Sequence, residues 1–350
     1  MSDSIILGIE SSCDDTAAAI IQGNKILSNI AANQAIHNEY GGVVPELASR
    51  AHQQNIIPVV HQSLNRANIQ QKDISAIGFT RGPGLLGSLL VGTSFAKSMA
   101  MSLNVPLIEV NHLQAHILAH FIEDANPTPP NFPFLCLTVS GGHTMIVLVK
   151  DYFDMEIIGK TIDDAAGEAF DKIGKIFGLD YPAGPIVDKL SKNGDGTAFK
   201  FNKPKLENYN YSFSGIKTSV LYFIQKEVQK NPDFIQENLD NLCASVQKSI
   251  VEILMNKLEK AALDLNIKEV AIAGGVSANS GLRTAMQENS EKLGWNIYIP
   301  KFEYTTDNAA MIAMVAKLKY DRKEFADLSI SATGRYDIEE SFKKDVHIQD

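Results

Sequence analysis

Two strand–turn–strand units, one near the start of each half of the chain, constrain the fold more than any other feature of the sequence. Residues 5–9 are apolar and mostly β-branched, a polar turn follows, and a second apolar run covers residues 17–21. Residues 134–139 and 145–149 repeat the pattern around a glycine-containing turn. Each unit predicts a β-hairpin. Two such hairpins half a chain apart favour an internal duplication, although two unrelated hairpins would give the same pattern.

The segments between and after the hairpins alternate between helical and strand patterns. The spacing of apolar residues predicts helices, and a short β-branched run predicts a strand at residues 269–273. The predicted helices cover residues 43–64, 85–101, 165–177 and 236–266, and a further helix starts at residue 279. We predict a turn at residues 181–185, where two prolines flank Ala-Gly. This alternation predicts an α/β architecture with parallel strand pairing.

Composition excludes several classes of protein. The chain has 350 residues, with 41 acidic and 32 basic side chains and a net charge of −9. That acidity argues against a protein that coats nucleic acid through a broad positive surface. Three well-separated cysteines without a C-x-x-C motif argue against a disulfide framework or a thiolate zinc site, and fit a reducing cytosol. The sequence shows neither a signal peptide nor an apolar run of about 20 residues, so we expect a cytoplasmic protein without a membrane span.

Glycine turns mark two places where a ligand could approach the backbone. Gly274 and Gly275 follow the predicted strand and precede a helix, and residues 140–142 form the tip of the second hairpin. A helix N-terminus after a glycine turn suits an anion such as phosphate. Most Gly-Gly turns are only turns, however, and the sequence contains no P-loop motif. A phosphate site and ordinary turns therefore both stay open.

His112 and His116 are spaced by one helical turn, and His120 continues the row. Two imidazoles at this spacing lie on one helix face and can bind one metal ion, although ordinary helix histidines would have the same spacing. A zinc peptidase with this spacing needs glutamate directly after the first histidine, and Leu113 occupies that position. The motif therefore disfavours peptide hydrolysis.

Carboxylates that could join the histidines stand before two predicted helices. Asp307 precedes an apolar helix, where it could be an N-cap or the third ligand of a metal. Residues 163–171 contain four acidic side chains at the start of a helix, where they complement the helix dipole and are expected to be mostly solvated. Asp171, one turn further in, requires another explanation.

Nine motifs occur together in one order: GIESSCDDT, VVPELASRAH, NHLQAH, VSGGHT, DDAAGEAFDK, DYPAGP, FSGIKT, AGGVSAN and TTDNAAMIA. Together they resemble the universal tRNA N6-adenosine threonylcarbamoyltransferase family, whose bacterial members are called TsaD and were formerly named O-sialoglycoprotein endopeptidase. The resemblance extends from about residue 5 to residue 316 and is highly specific. It implies a duplicated fold of the actin-like, sugar kinase and heat-shock ATPase (ASKHA) class, with two domains around a central cleft. A segment with four prolines, residues 124–133, is the best linker candidate. We therefore predict domains at 1–126 and 127–350, with the C-terminal helices packing back on the first.

The resemblance also implies an activity. The family transfers a threonylcarbamoyl group from threonylcarbamoyl-AMP to N6 of adenosine 37 in tRNAs that read codons beginning with A, and it releases AMP. A metallopeptidase with the H-x-x-x-H motif is the competing hypothesis from another enzyme class. A non-catalytic scaffold of the same fold and a sugar kinase are two further hypotheses.

The resemblance assigns residues to two groups. The implied metal ligands are His112, His116 and Asp307, with iron(II) as the favoured ion and zinc as the alternative. The implied substrate-binding residues hold the phosphate, carbamoyl and nucleotide parts of the acyl-adenylate: Thr138, Val139, Ser140, Gly141, Gly142, Asp171, Gly184, Asp188 and Asn279. No side chain is assigned as a catalytic nucleophile. The roles of Glu10, Ser11, Lys217 and His120 stay open.

Partners follow from the resemblance as well. Bacterial members pair with a smaller paralogue, TsaB, and with the ATPase TsaE, whereas mitochondrial members form homodimers. The predicted helices at residues 43–64 and 85–101 are candidates for the docking face, and ordinary packing within the first domain is the alternative. Six cations could form a local path for tRNA: Arg81, Lys97, Lys172, Lys175, Lys217 and Lys301.

Overall fold

A computed structural model of the protein describes residues 4–32, 34, 37–203 and 206–339. Contacts divide the chain into two units. The first unit comprises Met1–Pro129, Tyr152–Met155 and Pro300–Asp350, and the second comprises Pro130–Asp151 and Glu156–Ile299. The C-terminal residues from Pro300 onward thus belong to the first unit. The domain boundaries derived from the sequence, 1–126 and 127–350, stay a prediction about folding units.

Strands and helices alternate along both units. The strands are β1 (Ile5–Glu10), β2 (Thr16–Gln22), β3 (Lys25–Ala32), β4 (Ala76–Gly82), β5 (Leu107–Asn111), β6 (Phe134–Val139), β7 (Thr144–Asp151), β8 (Asp154–Lys160), β9 (Glu269–Ala273) and β10 (Asn296–Tyr298). The α-helices are α1 (His37–Tyr40), α2 (Pro45–Ala67), α3 (Leu86–Leu103), α4 (His112–Leu118), α5 (Ala166–Ile176), α6 (Ala183–Ser191), α7 (Ser214–Lys230), α8 (Phe234–Asp264), α9 (Ser280–Leu293) and α10 (Ala309–Asp321). Short 3₁₀ helices lie at Gln71–Asp73, Ala119–Phe121, Gly275–Ala278 and Phe302–Tyr304. The predicted hairpins, the strand at residues 269–273 and the predicted helices are confirmed.

The two sheets have the same topology. In the first unit the strand order is β3-β2-β1-β4-β5, and in the second it is β8-β7-β6-β9-β10 when read in the same direction. In each sheet the first two strands of the unit pair antiparallel, and the first strand pairs parallel with the fourth. This correspondence, strand for strand, confirms the internal duplication.

Helices cover both faces of the first sheet. Leu7 and Ile9 of β1 belong to a buried cluster with Ile56 and Val60 of α2. Gly8, between them, faces α10, because a Cβ added at Gly8 would lie 2.6 Å from the backbone nitrogen of Ala313. Alternate strand residues point to opposite faces, so α2 and α10 lie on opposite sides of β1.

One sequence prediction about local structure is wrong. The predicted turn at residues 181–185 ends at Pro182, and α6 starts at Ala183. Pro185 is compatible with this start because the first N–H groups of a helix have no intrahelical partner. The capping group comes from Asp171, twelve residues upstream, whose Oδ1 accepts a hydrogen bond from Ala183 N at 2.8 Å.

The segment between the units contains neither strand nor helix from residue 122 to residue 133, which agrees with the predicted linker. The three cysteines are free. Among the described helices, none combines the length and the apolar character needed to cross a membrane.

Candidate functional site

Two histidines lie on one face of α4, directly after β5. Asn111 ends the strand and caps the helix, because its Oδ1 accepts hydrogen bonds from Leu113 N at 3.0 Å and Gln114 N at 3.1 Å. His112 is thus the first helical residue, and His116 follows one turn later. Their ring centroids are 4.7 Å apart. The pairing predicted from the i, i+4 spacing is confirmed.

Asp307 completes a cluster with the two histidines. Its Oδ1 lies 3.4 Å from His112 Nε2 and 3.2 Å from His116 Nε2. One possible ligand atom from each of the three residues lies within 4.8 Å of the others. The N-cap of α10 is the next residue, Asn308, whose side chain accepts a hydrogen bond from Met311 N. Capping, the alternative role of Asp307, is therefore excluded.

His120 takes no part in this cluster. It lies in the 3₁₀ helix Ala119–Phe121, and its Nδ1 is 3.0 Å from Asn126 Nδ2. The change from α to 3₁₀ geometry ends the row of histidines after His116.

Glu10 contacts the cluster from β1, a role that sequence reasoning left open. Its side chain is fully buried and accepts hydrogen bonds from Ser12 N at 2.5 Å and from Thr80 Oγ1 at 2.7 Å. Its Oε2 lies 3.0 Å from His112 Nδ1. Ser11 points elsewhere, since its Oγ donates to the carbonyl oxygen of Ser88 in α3. The available signal was topological: the carboxyl ends of the parallel strands β1, β4 and β5 meet at one sheet edge.

The four ionisable groups of the cluster shift one another's pKa values. Burial would raise the pKa of Glu10 and of Asp307, but His112 beside both lowers each pKa below its ordinary value. Burial would lower the pKa of His112, but Asp307 and Glu10 raise that pKa well above its ordinary value. Burial keeps the pKa of His116 lowered. Without a metal ion, His112 is therefore protonated at neutral pH, His116 is neutral, and both carboxylates are charged.

The cluster fits a divalent metal ion. Two imidazole nitrogens and one carboxylate oxygen form a donor set that suits iron(II) or zinc and leaves further positions open for oxygen ligands. A carboxylate behind one of the imidazoles, as Glu10 is behind His112, is the usual outer partner of a metal-bound histidine.

The predicted substrate-binding residues lie in the second unit, first at the turn between β6 and β7. The side chains of Thr138 and Val139 are buried in the strand, whereas Gly141 and Gly142 are exposed at the tip. A Cβ added at either glycine would meet no atom within 4 Å, so the tip leaves room for a ligand. The N-terminus of α5 packs on this tip: Gly167 N donates to the carbonyl oxygen of Ser140 at 3.3 Å.

Three predicted polar residues hold helix N-termini. Asp171 accepts hydrogen bonds from Ala183 N and Gly184 N at the start of α6. Asp188 accepts from Ser280 N and Ser280 Oγ at the start of α9, and Asn279 caps the same helix through Leu282 N. Capping of α6 is therefore the role of Asp171 that its position in the sequence did not explain. Burial raises the pKa of Asp171, and the two N–H groups oppose that shift.

These contacts join the predicted residues into one continuous set. Gly274, at φ +85°, packs against the end of β6, since a Cβ there would lie 2.5 Å from the carbonyl oxygen of Val139. The chain of contacts thus runs from the β6–β7 tip to α5, from Asp171 to α6, from Asp188 to α9, and from Gly274 back to β6. A glycine turn beside a helix N-terminus is a backbone arrangement of the kind that binds phosphate. A separate pocket of about 400 Å³, lined by Gly196–Lys203 and part of α8, includes none of the predicted site residues.

Four of the six predicted tRNA-path cations already pair with acids. Arg81 lies 2.7 Å from Glu109, and Lys301 pairs with Asp124. Lys172 and Lys217 both contact Asp164, at 2.8 and 3.4 Å. Asp163, one of the four acids expected to be mostly solvated, is exposed and also accepts hydrogen bonds at the start of α7 from Ser212 Oγ, Phe213 N, Ser214 N and Ser214 Oγ.

Comparison with known proteins adds independent findings. The model of one protein family, described as TsaD: tRNA N6-adenosine threonylcarbamoyltransferase, matches residues 25–314. The chain is 83% identical over 338 residues to the tRNA N6-adenosine threonylcarbamoyltransferase of Riemerella anatipestifer. The aligned region covers 97% of this chain and 99% of that relative.

Solved structures share the fold at low sequence identity. Full-length HypF is similar with a TM-score of 0.60 and 13% identity, over 92% of this chain and 47% of HypF. The activator of the 2-hydroxyisocaproyl-CoA dehydratase from Clostridium difficile is similar with a TM-score of 0.51 and 13% identity, over 92% of this chain and 98% of the activator. The fold is the predicted α/β ASKHA fold.

Proposed function

The chain belongs to the TsaD family of tRNA N6-adenosine threonylcarbamoyltransferases, and we propose that its His112–His116–Asp307 cluster holds the divalent cation used in that reaction. The enzyme transfers a threonylcarbamoyl group to N6 of a tRNA adenosine, which we assign to adenosine 37 of tRNAs reading codons that begin with A. The observation that carries the proposal is the grouping of the three predicted ligands within 4.8 Å.

The reaction is an acyl transfer from threonylcarbamoyl-AMP. A C–N bond forms between adenine N6 and the carbamoyl carbon, the bond from that carbon to the phosphate oxygen breaks, AMP leaves, and N6 loses a proton. A bound iron(II) or zinc ion would supply Lewis-acid stabilisation of the negative charge on the acyl-adenylate. We place iron(II) first and zinc second, because both accept two imidazoles and one carboxylate.

The chain's own groups bind and orient the acyl-adenylate. We assign Ser140, Gly141 and Gly142 to the phosphate and carbamoyl part. The N–H of Ser140 donates to the carbonyl oxygen of His143 at 2.8 Å, which closes the turn, and the two exposed glycines leave open space for a ligand beside their backbone. Gly184 lies at the start of α6, where its N–H donates to Asp171 Oδ1 at 3.3 Å. We assign it to the nucleotide because the nearest atom to an added Cβ would be Phe170 Cβ at 3.9 Å, so a ligand can approach the backbone. We assign the nucleotide to the set that Asp171, Asp188 and Asn279 hold in place. Because these side chains fix the starts of α6 and α9, the site needs little reorganisation as charge develops.

The competing functions receive less support. A peptidase of the H-x-x-x-H type needs a glutamate where Leu113 stands, and that position carries no ionisable group. A non-catalytic scaffold would have no need for two histidines and an aspartate in one buried cluster.

Partners and location belong to the same proposal. A TsaB-like paralogue would dock on α2 and α3, which expose the apolar side chains of Ile57, Leu86, Leu90 and Met101. A TsaE-like ATPase would join this assembly. We propose a cytoplasmic location, because the tRNA substrate is available there.

Reconstitution with the adenylate-forming enzyme, tRNA and the partner proteins tests the proposal. Replacing His112 or Asp307 by Ala is expected to abolish the modification, measured by mass spectrometry of digested tRNA, while circular dichroism shows a folded chain. His120→Ala is the matched control, because this third histidine lies outside the cluster, and it should retain activity. Normal modification in the His112→Ala protein would exclude the metal assignment. Digestion of casein by the wild-type protein would instead favour the peptidase.

A further inference from the structure

Glu10 is held in one orientation by a backbone group just after β1 and a side chain on the neighbouring strand β4. Ser12 N, just beyond β1, donates to Oε1, and Thr80 Oγ1, on β4, donates to Oε2. These contacts leave Oε2 facing His112 Nδ1 at 3.0 Å. The carboxylate is fully buried, so water does not compete for it.

This contact selects one tautomer of His112 for metal binding. An ionised carboxylate only accepts hydrogen bonds, so the facing Nδ1 must carry the proton. Ser12 Oγ lies 3.2 Å from the same nitrogen, and a hydroxyl can accept from it as well, so this contact does not oppose that tautomer. The lone pair of neutral His112 is then on Nε2, the atom that faces Asp307 Oδ1 at 3.4 Å. His116 differs, because its Nδ1 is buried without a hydrogen-bond partner among the described residues. The two histidines of the cluster are therefore not equivalent.

We propose that Glu10 is a positioning residue that fixes His112 in the Nδ1-protonated tautomer, with Nε2 directed at the divalent cation. This inference rests on the proposed metal-binding role of the cluster. It assigns a role to a residue whose function the sequence left open, and it explains why a carboxylate lies buried at the end of β1 beside His112.

The variant Glu10→Gln separates orientation from shape. If the amide oxygen faces His112, the amide NH₂ meets the N–H of Ser12, and two donors face each other. If the NH₂ faces His112 instead, Nδ1 must accept, and the proton moves to Nε2, where it blocks the metal. Neither arrangement preserves both the hydrogen bond of Ser12 and the binding tautomer.

Zinc affinity of the full chain is the first readout, measured by calorimetric titration against a competing chelator. Glu10→Gln is expected to bind zinc about 10- to 100-fold more weakly, as for other outer partners of metal-bound histidines. The control is Ser28→Ala, which removes another buried hydrogen bond of the same unit, between Ser28 Oγ and Ser63 Oγ at 2.7 Å. The control should keep the wild-type affinity.

A second readout needs no variant and holds even if Glu10→Gln does not fold. Long-range ¹H–¹⁵N NMR of the zinc-loaded wild-type protein should show His112 protonated at Nδ1 and ligated through Nε2. Ligation through Nδ1, or affinity of Glu10→Gln within about twofold of wild type, would overturn the role of Glu10 and leave the proposed function intact. Failure of the wild-type protein to bind zinc or iron(II) would overturn both.

Discussion

Metal binding at the His112–His116–Asp307 cluster should release one proton per ion near neutral pH. Asp307 and Glu10, despite burial, keep the pKa of His112 well above its ordinary value of 6.5, so this imidazole carries a proton before the ion binds. The ion must displace that proton from Nε2. His116 has a lowered pKa and is already neutral, and both carboxylates have lowered pKa values and are already charged.

The sign and size of the pH dependence follow from this count. Because one proton competes with the ion, the apparent affinity rises about tenfold per pH unit, or about 1.4 kcal/mol, up to the pKa of His112. Above that pKa the dependence vanishes. Without the metal, protonated His112 also stabilises the fold. This contribution is fully present below about pH 6.5 and is lost as the pH rises through the folded-state pKa of His112.

Calorimetric titration with zinc in two buffers of different ionisation enthalpy measures the number of protons released. At about pH 6.5 the expected number is close to one. His120→Ala should give the same number, because His120 contacts Asn126 instead of the cluster. A count near zero would mean that His112 is already neutral, and a count near two would mean that His116 is protonated as well. Either count would refute the electrostatic argument.

Three further outcomes test other parts of the structure. Gly274→Ala should lower the free energy of unfolding by about 1–3 kcal/mol in urea titrations, because φ is +85° and the new Cβ would contact the carbonyl oxygen of Val139. Gly141→Ala should change that free energy by less than about 0.5 kcal/mol, while raising KM for the acyl-adenylate, since its Cβ would enter open space at the tip. Asn111→Ala should cost about 1–2 kcal/mol in thermal unfolding by removing the cap of α4.

Local patterns made several features predictable. Both hairpins followed from short apolar runs around polar turns, and the facing pair His112 and His116 followed from helical spacing alone. Each of these features depends on contacts between residues close in the sequence, so composition and period were sufficient. The internal duplication could be predicted only by comparing the two hairpins, which lie half a chain apart.

Contacts across long sequence separations were not predictable in this way. Glu10 and His112 are 102 residues apart and meet because β1, β4 and β5 pair in parallel. The start of α6 depends on Asp171, and no cap-forming residue directly precedes Ala183 to signal a helix. For Asp307 the local rule was ambiguous, since Asn308 beside it is an equally good cap and takes that role.

The net charge of −9 acquires a structural explanation from where the acids lie. Asp163, Asp171 and Asp188 accept backbone N–H groups at the starts of α7, α6 and α9, so part of the negative charge stabilises helix ends. Asp164 pairs with two cations of the predicted tRNA path. A tRNA phosphate would have to displace Asp164 from these cations. Each displacement reduces the binding free energy that counterion release provides. We therefore expect the isolated chain to bind tRNA weakly and to gain affinity within its assembly. Strong, salt-resistant binding of tRNA by the isolated chain, measured by filter binding, would contradict this argument.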